Sequence, residues 1–115
     1  MVIFIHSFPE THYSWRHQLP AIAKAGYRAV ALDVRCYVNS DAPHPIAAYL
    51  MKTITTDISE LIKALGEKEA VLVGHDWGAP IAWNTALLHP KQIKAVAGLS
   101  VPYVRRGPMP MIELF

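Results

Sequence analysis

The stretch VLVGHDWGAP, residues 71–80, has the pattern of a buried strand, a tight turn flanked by Gly74 and Gly78, and the start of a helix. This is the shape of a nucleophile elbow, in which a reactive side chain rides a sharp strand-to-helix turn. Such a turn usually carries serine at its tip; here the tip is Asp76. A residue at the carboxyl end of a strand faces the cleft where open parallel sheets bind ligands. A helix beginning near Trp77 aims free N–H groups and its positive dipole end at that tip. Such surroundings keep Asp76 ionised, as a nucleophile must be. A carboxylate is poorly suited to attacking an amide or ester carbonyl and well suited to displacement at saturated carbon. The product is an ester between protein and substrate. Water attack on that ester builds negative charge on its carbonyl oxygen, which backbone N–H donors must hold. Trp77 supplies one donor, and Phe8, in the loop HSFP after the first strand, is the candidate for the other. Epoxides and haloalkanes both suit this route: one releases an alkoxide that needs an acid, the other a halide that needs N–H donors. The competing reading of Asp76 is a helix cap or turn residue. The strand before it, the helix after it and the separate HSFP loop favour the catalytic role.

Working outward, apolar runs and helical periodicities alternate. Val2–Ile5 reads as a buried strand. Trp15–Ala25 reads as a short helix stopped by Gly26, with Pro20 setting its start or a bend. Tyr27–Asp33 is a second strand, ended by the turn-rich RCYVNSDAPHP. Residues 49–65 carry Leu50, Ile54, Ile58, Leu61, Ile62 and Leu65 at helical spacing, with Gly66 at the end. Ala70–Val73 is the third strand, Ala79–His89 a buried helix with Pro80 in its first turn, and Ile93–Ser100 the fourth strand. Continuous apolar strands alternating with helices imply a parallel sheet covered on both faces. The spatial order 2-1-3-4 is what the family resemblance described below implies for these strands. After Ser100, VPYVRRGPMPMIELF carries prolines and a glycine and reads as an exit from the sheet. Residues 1–101 are thus expected to form a partial core domain and 102–115 a linker towards a further domain. The unpaired edges such a sheet leaves fit a chain cut from a larger fold.

The chain has 115 residues, 52% apolar and 17% charged, and a net charge of +2. That is enough for one folded domain and too apolar for disorder. The basic residues are scattered, which argues against nucleic-acid binding. Cys36 is the single cysteine, so an internal disulfide and cysteine-paired zinc sites are excluded, and a reducing, cytoplasmic setting fits. No apolar run approaches a membrane span, and Met1–Ile5 lacks the basic flank of a signal peptide. Nothing calls for a cofactor or a metal. His12 and His17 have no cysteine near them, His44 lies between prolines, and His89 closes a helix. His6 reads as a loop-framing residue, and His75 sits beside the tip but faces away from it. Asp33 reads as organising its own loop with Arg35 and Ser40.

HSFPE…YSWRHQ, YRAVALDVRCYVNSDAP, VLVGHDWGAPIAW and LSVPY…RGP together resemble the α/β-hydrolase-fold epoxide hydrolases over essentially the whole chain. The resemblance implies an incomplete α/β-hydrolase core of about four parallel strands. It implies conversion of an epoxide to a vicinal diol through an aspartyl ester. Asp76 matches the alkylated nucleophile, and Phe8 and Trp77 the residues whose N–H groups form the oxyanion hole. His6 and Pro9 match the frame of the family's H-G-x-P loop, and the side chains of Phe8, Trp77 and Pro102 match positions near the substrate cavity. Haloalkane dehalogenases are close relatives that commonly place asparagine where this chain has Phe8, which favours the epoxide. Three glycines of the family pattern stand here as Ser7, Cys36 and Val38. The family's cap tyrosines, acid and late histidine fall beyond Phe115, so the expectation is alkylation at Asp76 without turnover. A haloalkane dehalogenase fragment and a non-catalytic remnant or binding module are the alternatives.

Overall fold

A computed structural model describes residues 1–7, 10–35 and 50–103. Phe8, Pro9, residues 36–49 and residues 104–115 lie outside the described residues, and with them Cys36, Val38, Ser40, His44 and most of the expected linker. The described elements are β1 (Val2–Ile5), a 3-10 turn (His12–Trp15), α1 (Gln18–Lys24), β2 (Ala29–Leu32), α2 (Met51–Ala64), β3 (Ala70–His75), α3 (Gly78–Leu88) and β4 (Ile93–Leu99). The strands form one parallel sheet in the order β2-β1-β3-β4, as the sequence predicts.

Side-chain alternation along the strands divides the core. Ile3 and Ile5 of β1 and Leu72 of β3 face Ile58 and Ile62 of α2 and Ile81 and Ala82 of α3. Val2 and Phe4 point the other way, against Trp15, with Leu19 and Ile22 of α1 around them. Helices therefore lie on both faces, but unequally: α1 is short, and on its side Val71 and Val73 remain half-buried and Leu99 exposed. All of β1 is buried, since it has a strand on either side and a cluster on each face.

The expected single helix Trp15–Ala25 is instead a 3-10 turn followed by α1. Thr11 caps the turn, its hydroxyl accepting the Tyr13 N–H. α1 then starts two residues before Pro20, whose missing N–H falls in the first helical turn, where no intrahelical partner is needed. The second strand is shorter than expected, and the third runs on to His75, because β3 stays in register with β4 as far as the pair His75↔Leu99. The helix expected to be buried throughout, α3, buries its first half and exposes Leu87 and Leu88.

The elbow depends on close backbone approach. A Cβ on Gly78 would collide with the carbonyl oxygen of Ile5, and one on Gly74 with that of Gly78. Helix α3 is thereby drawn onto the ends of β1 and β3 more closely than a side chain permits. Gly78→Ala is expected to destabilise the chain by about 3 kcal/mol, the upper end for overpacking. Urea unfolding followed by circular dichroism measures this, and a change under about 0.5 kcal/mol would contradict the close approach.

Candidate active site

Asp76 stands one residue beyond β3 with φ 54°, in the left-handed region that an L-residue adopts at a cost of about 1–2 kcal/mol. Two backbone bonds hold it there. Its N–H donates to the Leu99 carbonyl of β4 at 3.0 Å, and its carbonyl accepts the Ala79 N–H at 3.1 Å. The chain reverses between these bonds, which leaves the Asp76 side chain partly exposed at the carboxyl end of the sheet. Trp77 follows at the N-cap of α3 with its indole 63% exposed, so its ring is open to contact with a ligand or another element. Pro102 is exposed beyond β4. Phe8 and Pro9, the other residues assigned to the oxyanion loop, lie outside the described residues.

The residues around that loop are fixed by His6. The Val34 N–H donates to His6 Nε2 at 3.0 Å, which leaves the ring proton on Nδ1. Nδ1 lies 3.0 Å from the Ser7 carbonyl and donates to it. His6 is buried and joins the end of β1 to the end of β2. Ser7, where the resembling family has glycine, is buried without positive φ, so a side chain is accommodated in an ordinary backbone conformation. The Ser7 hydroxyl hydrogen-bonds the Glu10 carboxylate and holds its pKa below the usual value against the opposing effect of burial, with Ser14, His75 and His6 adding to the shift. His75 Nδ1 stands 3.8 Å from Glu10 Oε2.

Asp33 serves a longer reach than its own loop. Its Oδ1 accepts the backbone N–H of His12 at 3.0 Å and lies 2.7 Å from His12 Nδ1. Arg35 forms a bidentate pair with Asp57 of α2, at 2.8 and 2.6 Å. These links tie the segments after β1 and β2 to each other and to α2. Sequence reasoning missed His12 and Asp57 as partners because each is joined to a residue more than twenty positions away, and it missed the approach of His75 to Glu10 for the same reason. Glu10 had one signal, its place in the quoted HSFPE.

A groove of about 420 Å³ opens beside the elbow, lined by Phe4, Glu10, Trp15, Val73, His75 and Leu99 among others. Asp76, Trp77 and Pro102 are not among its lining residues, so it is the thinly covered α1 face of the sheet rather than the cavity expected around them. Among the described residues no cluster of three or more histidine, cysteine or acidic side chains is placed to hold a metal, and no helix is long and apolar enough to cross a membrane.

Comparison with known proteins matches the α/β hydrolase fold family over residues 1–115. An epoxide hydrolase of Caballeronia sordidicola is 53% identical over 112 residues, covering 97% of this chain and 34% of that protein. Epoxide hydrolase A of Mycobacterium tuberculosis is 48% identical over 115 residues, covering 100% of this chain and 36% of that protein. The crystal structure of epoxide hydrolase A from Mycobacterium thermoresistibile superposes with a TM-score of 0.95 at 48% identity, covering 98% of this chain and 35% of that one. The chain spans about a third of the length of the curated relatives it matches.

Burial pushes the Asp33 carboxyl up, but the two His12 hydrogen bonds and the His12 and His6 imidazoles together outweigh it and leave its pKa below the ordinary value. A carboxyl with a lowered folded-state pKa stabilises fully above its unfolded value, about 4, and loses that contribution as pH falls through the folded value. Asp33→Asn is therefore expected to lower stability near neutral pH and to flatten its decline below about pH 4. Urea unfolding at several pH values reads both effects. A variant whose acid limb falls as steeply as the parent's would show that Asp33 is not the linked group.

Proposed function

This chain belongs to the α/β-hydrolase fold family, and from that premise we propose that it is the nucleophile-bearing part of an epoxide hydrolase. The observation that carries the reading is an aspartate at φ 54° on the strand-to-helix turn, where the fold presents its nucleophile. An Asp76 carboxylate oxygen attacks an epoxide carbon, a C–O ester bond forms, and the ring C–O bond breaks. The ring oxygen leaves as an alkoxide and takes a proton. Water then adds to the ester carbonyl, the N–H groups of Trp77 and Phe8 hold the resulting oxyanion, and collapse releases the diol and restores the carboxylate. On this reading Phe8, Trp77 and Pro102 serve the substrate cavity, and residues 102–115 serve as a linker. The substrate is a small-molecule epoxide. The single cysteine supports a cytoplasmic setting.

The two steps make unequal demands. Displacement needs an accessible carboxylate, and Asp76 is partly exposed at the elbow. Ester hydrolysis needs a base to activate water, and the described histidines near the elbow have other partners: His6 joins Val34 to Ser7, His12 meets Asp33, and His75 faces Glu10. The 115-residue polypeptide is accordingly expected to accumulate the ester. Incubation with styrene oxide should add one equivalent by intact mass, mapped to Asp76 by peptide fragmentation, without catalytic diol formation. Asp76→Ala should abolish the adduct. Adduct formation that survives this substitution would refute the nucleophile. Adducts formed from bromoalkanes but not from epoxides would move the reading to haloalkane dehalogenation.

A further inference from the structure

Among the described residues, two non-glycine residues have positive φ, Asp76 at 54° and Ser100 at 72°. They are not independent. Each lies one residue past the last paired position of adjacent strands, His75↔Leu99, and the Asp76 N–H donates to the Leu99 carbonyl, immediately before Ser100. Left-handed residues of this kind persist only where their surroundings hold them. For Asp76 one holder is the Leu99 carbonyl, so the conformation of the β4 exit bears directly on the nucleophile.

The β4 exit is held in turn by Trp83 of α3. Its indole Nε1–H donates to the Val101 carbonyl at 3.1 Å. The ring lies directly on Gly98, where a Cβ would come within 2.7 Å of Nε1 and 2.8 Å of Cζ2. Tyr103 meets the indole edge-on, with ring centroids 5.9 Å apart at 62°. One side chain thus touches β4 before the left-handed Ser100 and the chain after it. The helix that carries Trp83 is the one that begins at the elbow.

We propose that Trp83 is a positioning residue for Asp76: by bonding the Val101 carbonyl it locks the turn out of β4, so that the Leu99 carbonyl keeps the Asp76 amide, and with it the carboxylate, at the tip of the elbow. The role is carried by the indole N–H, with the ring supplying the fit over Gly98. Trp83 touches neither the reacting atoms nor the ester. The kinetic consequence rests on Asp76 being the nucleophile; the structural one does not.

The discriminating variant is the 115-residue polypeptide with Trp83 replaced by 3-benzothienylalanine, which keeps the ring's shape and removes the N–H. Trp83→Phe accompanies it as an ordinary substitution. Amide hydrogen exchange followed by NMR should show the Asp76 N–H exchanging about five- to tenfold faster in the isostere, as expected for loss of one hydrogen bond, with Ile3 and Leu72 in the sheet centre unchanged. The rate of styrene oxide adduct formation at saturating epoxide should fall by a similar factor, with the half-saturating concentration unchanged. An isostere in which Asp76 exchange is unaltered overturns the proposal. So does one in which all sheet amides exchange faster together, since Trp83 would then stabilise the fold generally. If the parent chain forms no adduct at all, the functional reading fails, while the exchange measurement still decides the role of Trp83.

Discussion

Helix α3 sits so close to the end of β1 that the Ile5 carbonyl occupies the space a side chain on Gly78 would need. Much of the candidate site follows from that contact. It forces the chain leaving β3 to reverse within Asp76 and Trp77, which puts Asp76 at positive φ and points the first turn of α3 at the same place. A longer turn would relax the backbone, but it would also move the carboxylate away from the start of α3. The unfavourable backbone at Asp76 is offset by fixed neighbours on both sides: the Leu99 carbonyl on β4 and the Ala79 N–H in the helix.

A second set of contacts holds the opposite wall. His6 joins the loop after β1 to the segment after β2 in one tautomer, and Asp33 fastens the 3-10 turn from below through His12. Asp33 is 8% exposed and His12 44%, so the pair is anchored on its buried carboxylate while the imidazole reaches solvent. Such a pair is worth more than an exposed ion pair, because its hydrogen bonds are partly shielded from water. Oxyanion chemistry in this fold needs donors from two segments that are far apart in sequence. The His6 and Asp33 links hold the described chain before and after residues 8 and 9, and the close approach of α3 holds the elbow.

The fold was largely legible because apolar periodicity and glycine position are local signals. The parallel sheet followed from continuous apolar strands and connecting helices, its order 2-1-3-4 from the family resemblance, and Gly26 and Gly66 end their helices at positive φ. Asp76 was legible because Gly74, Gly78, the preceding strand and the following helix surround it within ten residues of sequence. The 3-10 turn was not, since it depends on a Thr11 cap and an Asp33 side chain 21 residues away from His12. The same holds for the partner of Trp83, which no neighbouring residue in the sequence signals. The indole's bond to Val101 exists only once strand register has brought the end of β4 alongside α3. Asp33 read as a loop organiser, and what sequence lacked was the direction of its bonds.

The central claim is that Asp76 displaces at carbon, and stereochemistry tests it most directly. The polypeptide can be treated with a single enantiomer of a disubstituted epoxide, and the ester released from the Asp76 peptide under conditions that cleave its acyl bond. The account predicts a diol inverted at the attacked carbon, as in-line displacement by a carboxylate requires. Retention or racemisation at that carbon would contradict it.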